Sequence, residues 1–261
     1  MHRRTWLSVI AIVVFSSCGV VEEVSADLKD DVLAGWKQIE RATSVTNLQR
    51  TSILPGRNGP SSRIDHWAVQ GDAKKLETKQ RVWLYSDGIS YVLRKNENNA
   101  WQVEQRGSLD AFPDLGGLRG AAFSIADVCL LDAIKDEKFA FSDWREGDDG
   151  YVHFQVRNIE EAQLNASGIK HRPAAFEEVQ IRVDPEHSCR IVGFEHDVFS
   201  QGLAAHIAAK YEYGDDAFIP QRIATASTAL GREPAEWTIV NTSISHKPLP
   251  ESEFTLSHYG L

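Results

Sequence analysis

Apolar positions along this chain recur first with a period near 3.6 and then, over most of its length, with a period of two. Leu28, Val32, Trp36 and Ile39 stand four, four and three residues apart with polar residues between them. That is one stripe of a helix, so DLKDDVLAGWKQIERA (residues 27–42) is predicted to be amphipathic and helical. SSRIDHWAVQ (61–70) then alternates. KQRVWLYSDGISYVLRK (79–95) reads as two strands joined by Asp87-Gly88, a pair suited to a type I′ hairpin turn because both central residues need positive φ. AWQVEQRG (100–107) continues the meander.

GSLDAFPDLGGLRGA (107–121), with four Gly, a Pro and two Asp, reads as a loop. A second helix is expected after it, with Ser124 as N-cap and Phe123, Ala126, Leu130 and Ala133 along one face. Alternation then returns. YVHFQVRN (151–158) places Val152, Phe154 and Val156 on one side, and FEEVQIRVDPE (176–186) places Val179, Ile181 and Val183 inward against Glu178, Gln180 and Arg182 outward. CRIVGFEHDVF, AHIAAKYEYGDD, FIPQRIATAST and EWTIVNTSIS follow at regular spacing, and KPLPESEFTLSHYGL (247–261) is an irregular tail expected to pack back. Strict alternation means one covered and one wet face, the habit of antiparallel sheets, whereas parallel units would need a helix between strands. The pattern predicts an α+β, β-rich fold: a large curved antiparallel sheet of about ten strands covered by two or more helices.

The N-terminus has a different pattern. MHRRTWLSVIAIVVFSSC opens with Arg3 and Arg4 and continues with a mostly apolar run, Trp6–Phe15. Ten residues are too few to span a bilayer core of roughly 30 Å, and basic flank plus short apolar run is the form of a secretory signal. Two processing readings compete. Val24-Ser25-Ala26 before Asp27 suits an ordinary signal peptidase and makes residues 1–26 a signal peptide and 27–261 a single exported domain. Phe15-Ser16-Ser17-Cys18 resembles the lipobox of bacterial lipoproteins, with Phe15 where Leu is usual, and implies lipidation at Cys18. Either route exports the chain to the periplasm or cell envelope, with membrane contact only through a lipid anchor at Cys18.

Net charge at pH 7 is −9, and removing residues 1–26 leaves it unchanged, since Arg3 and Arg4 leave with Glu22 and Glu23. An acidic chain with scattered basic residues argues against nucleic acid as partner. Cys129 falls on the expected second helix and Cys189 opens a strand. Export permits a disulfide between them, worth roughly 3–4 kcal/mol for a loop of about sixty residues; two separately buried thiols are the alternative.

Sequence signatures of catalysis are missing. Gly88-Ile89-Ser90-Tyr91-Val92 lacks the last glycine of a nucleophile elbow. His187, Cys189, Glu195 and His196 share one segment, but their spacing is loose and they read as strand-edge residues; no metal or cofactor is expected. Gly116-Gly117-Leu118-Arg119-Gly120 lacks phosphate-loop spacing. The adjacent carboxylates Asp148-Asp149, Glu160-Glu161, Glu177-Glu178 and Asp215-Asp216 point to opposite faces when they lie on strands, so they are not acid/base pairs. What remains is aromatic: Trp67, Trp83, Tyr85, Tyr91, Trp101, Phe154 and Phe194 all sit on expected strands. They either fill a core or line an apolar groove left open by a sheet too large for its helices, a kind of pocket that suits acyl chains.

The order of elements (an exported chain, an amphipathic helix, an antiparallel meander, a helical insertion, more strands) and the step Tyr211-Glu212-Tyr213 to Ile219-Pro220 resemble the LolA/LolB-like superfamily of periplasmic lipoprotein-carrier proteins. The resemblance implies a half-open β-barrel with helices as a lid and an acyl chain in the concave face. The first expectation is therefore a non-enzymatic carrier or sensor for an apolar small molecule or lipid acyl chain, with envelope proteins as further partners. A second is an envelope interaction module without a cavity, and a third a hydrolase with a dispersed site.

Overall fold

Period-two alternation carries most of the chain into one sheet. The computed structural model describes residues 18–55, 59–107, 120–125, 128–159, 163–164, 170–171, 176–200, 203–229 and 233–261. The apolar run of residues 6–15 and most of the glycine-rich loop lie outside these residues, as does the side chain of Cys18. After helix α1 (Cys18–Ala42) come β1 (Val45–Leu54), β2 (Ser61–Gln70), β3 (Ala73–Glu77), β4 (Arg81–Ser86), β5 (Ile89–Lys95) and β6 (Trp101–Gly107). One-turn helices α2 (Gly120–Phe123) and α3 (Leu130–Ala133) flank a two-residue ladder of β7 (Ser124–Ile125) and β8 (Val128–Cys129). Then follow β9 (Phe139–Glu146), β10 (Val152–Asn158), the short pair β11 (Gln163–Leu164) and β12 (Lys170–His171), β13 (Glu178–Asp184), β14 (Arg190–Ser200), β15 (Leu203–Glu212), β16 (Arg222–Ala229) and β17 (Ala235–Ser245).

Thirteen of the described strands form one open antiparallel sheet in the order β6-β5-β4-β3-β2-β1-β17-β16-β15-β14-β13-β10-β9. The expected hairpin at Asp87-Gly88 is present, with φ of 53° and 78°. Three strands were not foreseen. β1 is polar on much of both faces. β3 is AKKLE, and both of its lysines are buried. In β9 a bulge opposite Phe154, at Asp143 with φ 57°, breaks the alternation so that Phe141 and Trp144 reach the same side.

The helical stripe does what its spacing predicts: Leu28, Val32, Trp36 and Ile39 are all buried. The Trp36 ring meets Phe123 and Phe154 edge-on, and its Nε1 donates to the Cys189 carbonyl at 2.9 Å. α1 packs against β9 and β14. The core around it runs from Trp144 on β9 to Leu48 on β1, strands seven steps apart in the sheet. Seven steps of about 4.8 Å exceed the roughly 10 Å width of a helix several-fold, so the sheet must curve around α1 to bury both ends in one cluster.

The expected second helix is a correction. No single helix runs from a Ser124 cap among the described residues: Ser124–Ile125 and Val128–Cys129 pair as the β7–β8 ladder, and Leu130–Ala133 makes the single turn α3, whose N-cap is Cys129 with no side-chain capping bond; Ala126 lies outside the described residues. An isolated helix of that length is marginal, and burial of Phe123, Ile125, Leu130 and Leu131 in the core decides the path instead. The disulfide is also not formed: Cys129 and Cys189 are both free. Cys189 lies under α1 with its Sγ 3.9 Å from the Asp31 carbonyl oxygen, and burial raises both thiols to about 11.

Candidate functional site

Parity along each strand and register between strands determine which side chains share a face. The face that packs on α1 carries Phe154, Ile181, Phe194, Tyr211 and Ile223. Followed past β17 it becomes Leu48 and Arg50 on β1, Asp65 and Trp67 on β2, Leu76 on β3, Trp83 and Tyr85 on β4 and Val92 on β5. Of the seven aromatics expected in a groove, three are on this inner face, packed around buried Leu76 and Val92: Trp83, Tyr85 and Trp67, the last also touching the core around α1.

Four do not belong there. Phe154 is fully buried and Phe194 nearly so, inside the core under α1, where Phe154 stacks on Trp144 at 4.2 Å. Tyr91 and Trp101 face the opposite side because Tyr91 pairs with Leu84 and not with Trp83. There they join Val82, Leu84 and Leu93 beneath Leu256 and Tyr259 of the C-terminal tail. Sequence alternation gives the parity within a strand but not which parity faces the helix, so adjacent strands cannot be phased without their register.

The inner-face residues form rows across the strands. Val92, Trp83, Leu76, Trp67 and Leu48 are direct partners in succession from β5 to β1. This apolar row spans four interstrand steps, about 19 Å. Two residues along the strands lies a polar row: Arg94 opposes Arg81, and Asp65 opposes Arg50, which opposes Asn241. Arg94 and Arg81 share Glu104, at 3.4 and 3.3 Å, which offsets the repulsion of like charges facing each other. Arg63 Nε donates to buried Asp65 at 2.8 Å. Arg50 lies 4.3 Å over the Trp67 ring and its Nε donates to Asn241 Oδ1 at 3.0 Å. Burial lowers the Arg50 guanidinium to about 10, opposed by the nearby Asp65 carboxylate. Trp67 Nε1 is buried with no hydrogen-bond partner among the described residues.

β3 stops at Glu77 and pairs with β2 only from His66 onward, so Ser61–Asp65 have β1 on one side and no strand on the other among the described residues. The notch is a cleft of about 870 Å³ reaching Trp83, with Arg63, Lys79, Arg81, Arg94 and Lys95 in its walls and Glu77 as the one carboxylate among its lining residues. None of these arginines had been singled out from sequence, since each is an ordinary polar residue of an alternating strand; only register gathers them.

The loose His/Cys/Glu segment does not converge. His187 bonds Asp184 at 2.7 Å, Glu195 points to the outer face near His206, and His196 is buried between Phe176 and Phe194. No group of three or more His, Cys, Asp or Glu among the described residues is placed to hold a metal ion.

No protein-family model matches the chain, and no curated protein matches it in sequence. Solved structures do. A LolA superfamily protein from Nitrosomonas europaea is 12% identical with a TM-score of 0.46, covering 85% of this chain and 98% of its own. A domain from Vibrio parahaemolyticus assigned as an outer membrane lipoprotein-sorting protein is 10% identical with a TM-score of 0.46, over 87% of this chain and 96% of its own. A DUF1329 family protein from Desulfovibrio piger is 10% identical with a TM-score of 0.43, over 87% and 98%.

Proposed function

We propose that this protein is an exported, non-enzymatic carrier or sensor that binds an apolar ligand, an acyl chain, on the inner face of its sheet. The observation that carries the reading is the registered row Val92–Trp83–Leu76–Trp67–Leu48. It continues the face that α1 covers: its Leu48 end joins the core around α1, its Leu76 and Val92 form a separate cluster, and Trp67 and Trp83 remain partly exposed in it. Two partly exposed indole rings set on buried Leu48, Leu76 and Val92 suit an extended hydrocarbon, which gains roughly 0.8 kcal/mol per buried methylene. The reading of an envelope module without a cavity would need Trp67 and Trp83 to be covered by protein as Leu48, Leu76 and Val92 already are.

The test is to express the full chain with its own leader in a bacterial host and purify it without detergent. Mass spectrometry of the intact protein reports cleavage after Ala26 or lipidation at Cys18. Mass spectrometry of an organic extract reports the cargo. One stoichiometric acyl-bearing molecule per chain is expected. A folded protein that carries none, and that takes up none when offered oleate or monoolein, would favour the interaction module.

A further inference from the structure

The apolar row is edged on one side by guanidinium groups, and this edge opens into a cleft large enough for a polar head. We propose that the ligand is an anionic amphiphile whose phosphate or carboxylate head sits in the β2–β4 notch on Arg63, Arg81 and Arg94, with its chain along the Trp83 row. The inference rests on the acyl-chain reading above and adds the class of head group.

Three observations converge. First, the protein carries a net charge of −9, yet five basic residues and one acidic residue line this cleft, and basic side chains still outnumber carboxylates when Asp65 and Glu104, paired with Arg63, Arg81 and Arg94, are counted. Second, Arg81 and Arg94 are direct cross-strand partners held by one shared carboxylate, Glu104, and both remain about half exposed, at 46% and 54%. Two guanidinium groups sharing one carboxylate keep donors directed at solvent, and the planar fork suits the paired oxygens of a phosphate or carboxylate. Lys79, at the mouth, makes no ion pair among the described residues. Third, the geometry links head to tail. Trp83 lines the cleft and is also the second member of the apolar row. Arg81 stands two residues from Trp83 on the same face, about 6.6 Å along the strand. An amphiphile with its head at Arg81 therefore places the start of its chain beside Trp83, the next inner-face residue along β4.

The test uses three probes on the purified, delipidated full chain: 1-oleoyl-lysophosphatidate, oleate and neutral monoolein, each below its aggregation threshold, followed by tryptophan fluorescence. The expected result is at least a tenfold preference for the two anionic probes over monoolein, weakening as NaCl rises because exposed charges are screened. The Arg81→Gln/Arg94→Gln and Arg63→Gln variants, with unfolding curves confirming intact folds, should lose that preference. Preference retained in these variants would overturn the head-group assignment while leaving the apolar row standing. Failure of all three probes to bind would overturn the acyl-chain reading and this inference with it. Inorganic phosphate is added as a competitor, and displacement of lysophosphatidate at comparable concentrations would make the cleft a phosphate site and overturn the amphiphile. A preference for lysophosphatidate over oleate would identify the head as phosphate, and the reverse as carboxylate; either outcome, if lost in the arginine variants, supports the proposal.

Discussion

His196 is a buried imidazole on the inner face of β14, packed between the rings of Phe176 and Phe194, with Nδ1 unpartnered among the described residues. Burial lowers its pKa below the usual value, outweighing the nearby Asp197. The folded state therefore holds the neutral form more firmly than the unfolded chain, whose histidines titrate near 6.5. Its contribution to stability is complete above about pH 6.5 and is lost as pH falls through the depressed folded value. Urea midpoints measured from pH 7.5 down to 5.5 should fall for the native chain and fall less for His196→Phe. Equal slopes would show that His196 is not the titrating group. Gly35 makes a second residue-scale case. A Cβ there would lie 2.4 Å from the Ser188 carbonyl oxygen, where the β13–β14 turn meets the helix. The neighbour is backbone and cannot give, so Gly35→Ala is expected to cost about 1–3 kcal/mol by overpacking. Trp36→Ala, which loses both the ring contacts and the bond to the Cys189 carbonyl, should cost about 3–5 kcal/mol. Both are read from equilibrium denaturation.

The two faces of the sheet are covered by different elements. α1 covers the inner face of β9 and β14, while the tail covers the outer face of β3 and β4 through two 3-10 turns, Glu251–Phe254 and Leu256–Tyr259. Glu253 reaches the buried Lys75 at 2.5 Å, and this hydrogen bond holds its carboxyl below the usual carboxylate range. Tyr259 stacks edge-on to Trp101 at 5.5 Å and donates to Glu77 at 3.3 Å. Deleting residues 251–261 would uncover Val82, Leu84 and Leu93 and leave Lys75 with only Glu77, at 3.8 Å, as an ion-pair partner. Such a truncation should bind a hydrophobic dye and lose hydrogen-exchange protection in β4 and β5 before β13 and β14. Unchanged protection would mean that the hairpin is held by its neighbouring strands alone. The tail was legible as a segment that packs back. Its destination was not, because nothing local in KPLPESEFTLSHYGL specifies a face some 170 residues earlier in the chain.

At the scale of the whole molecule, one sheet serves two purposes, and a pair of substitutions separates them. Phe154→Ala, under α1, is expected to lose about 3–5 kcal/mol of stability. Trp83→Ala, in the partly exposed row, should weaken oleate binding severalfold while lowering stability by much less. Comparable stability losses would place Trp83 in the core and favour the module without a cavity. The stripe of α1, the alternation of β10 and β13 and the Asp87-Gly88 turn were all set by the sequence alone, because each depends on the intrinsic period of a helix or strand or on the φ preference of two residues. The broken second helix, the free cysteines and the separation of Tyr91 and Trp101 from Trp83 and Tyr85 were decided only in three dimensions. So was the row of arginines beside the row of aromatics. β1 joins β17 across some 200 residues of chain, and a shift of one residue in any ladder would exchange every inner side chain for an outer one. Periodicity is a local property; the face a residue occupies, and the company it keeps there, is set by its partners across the sheet.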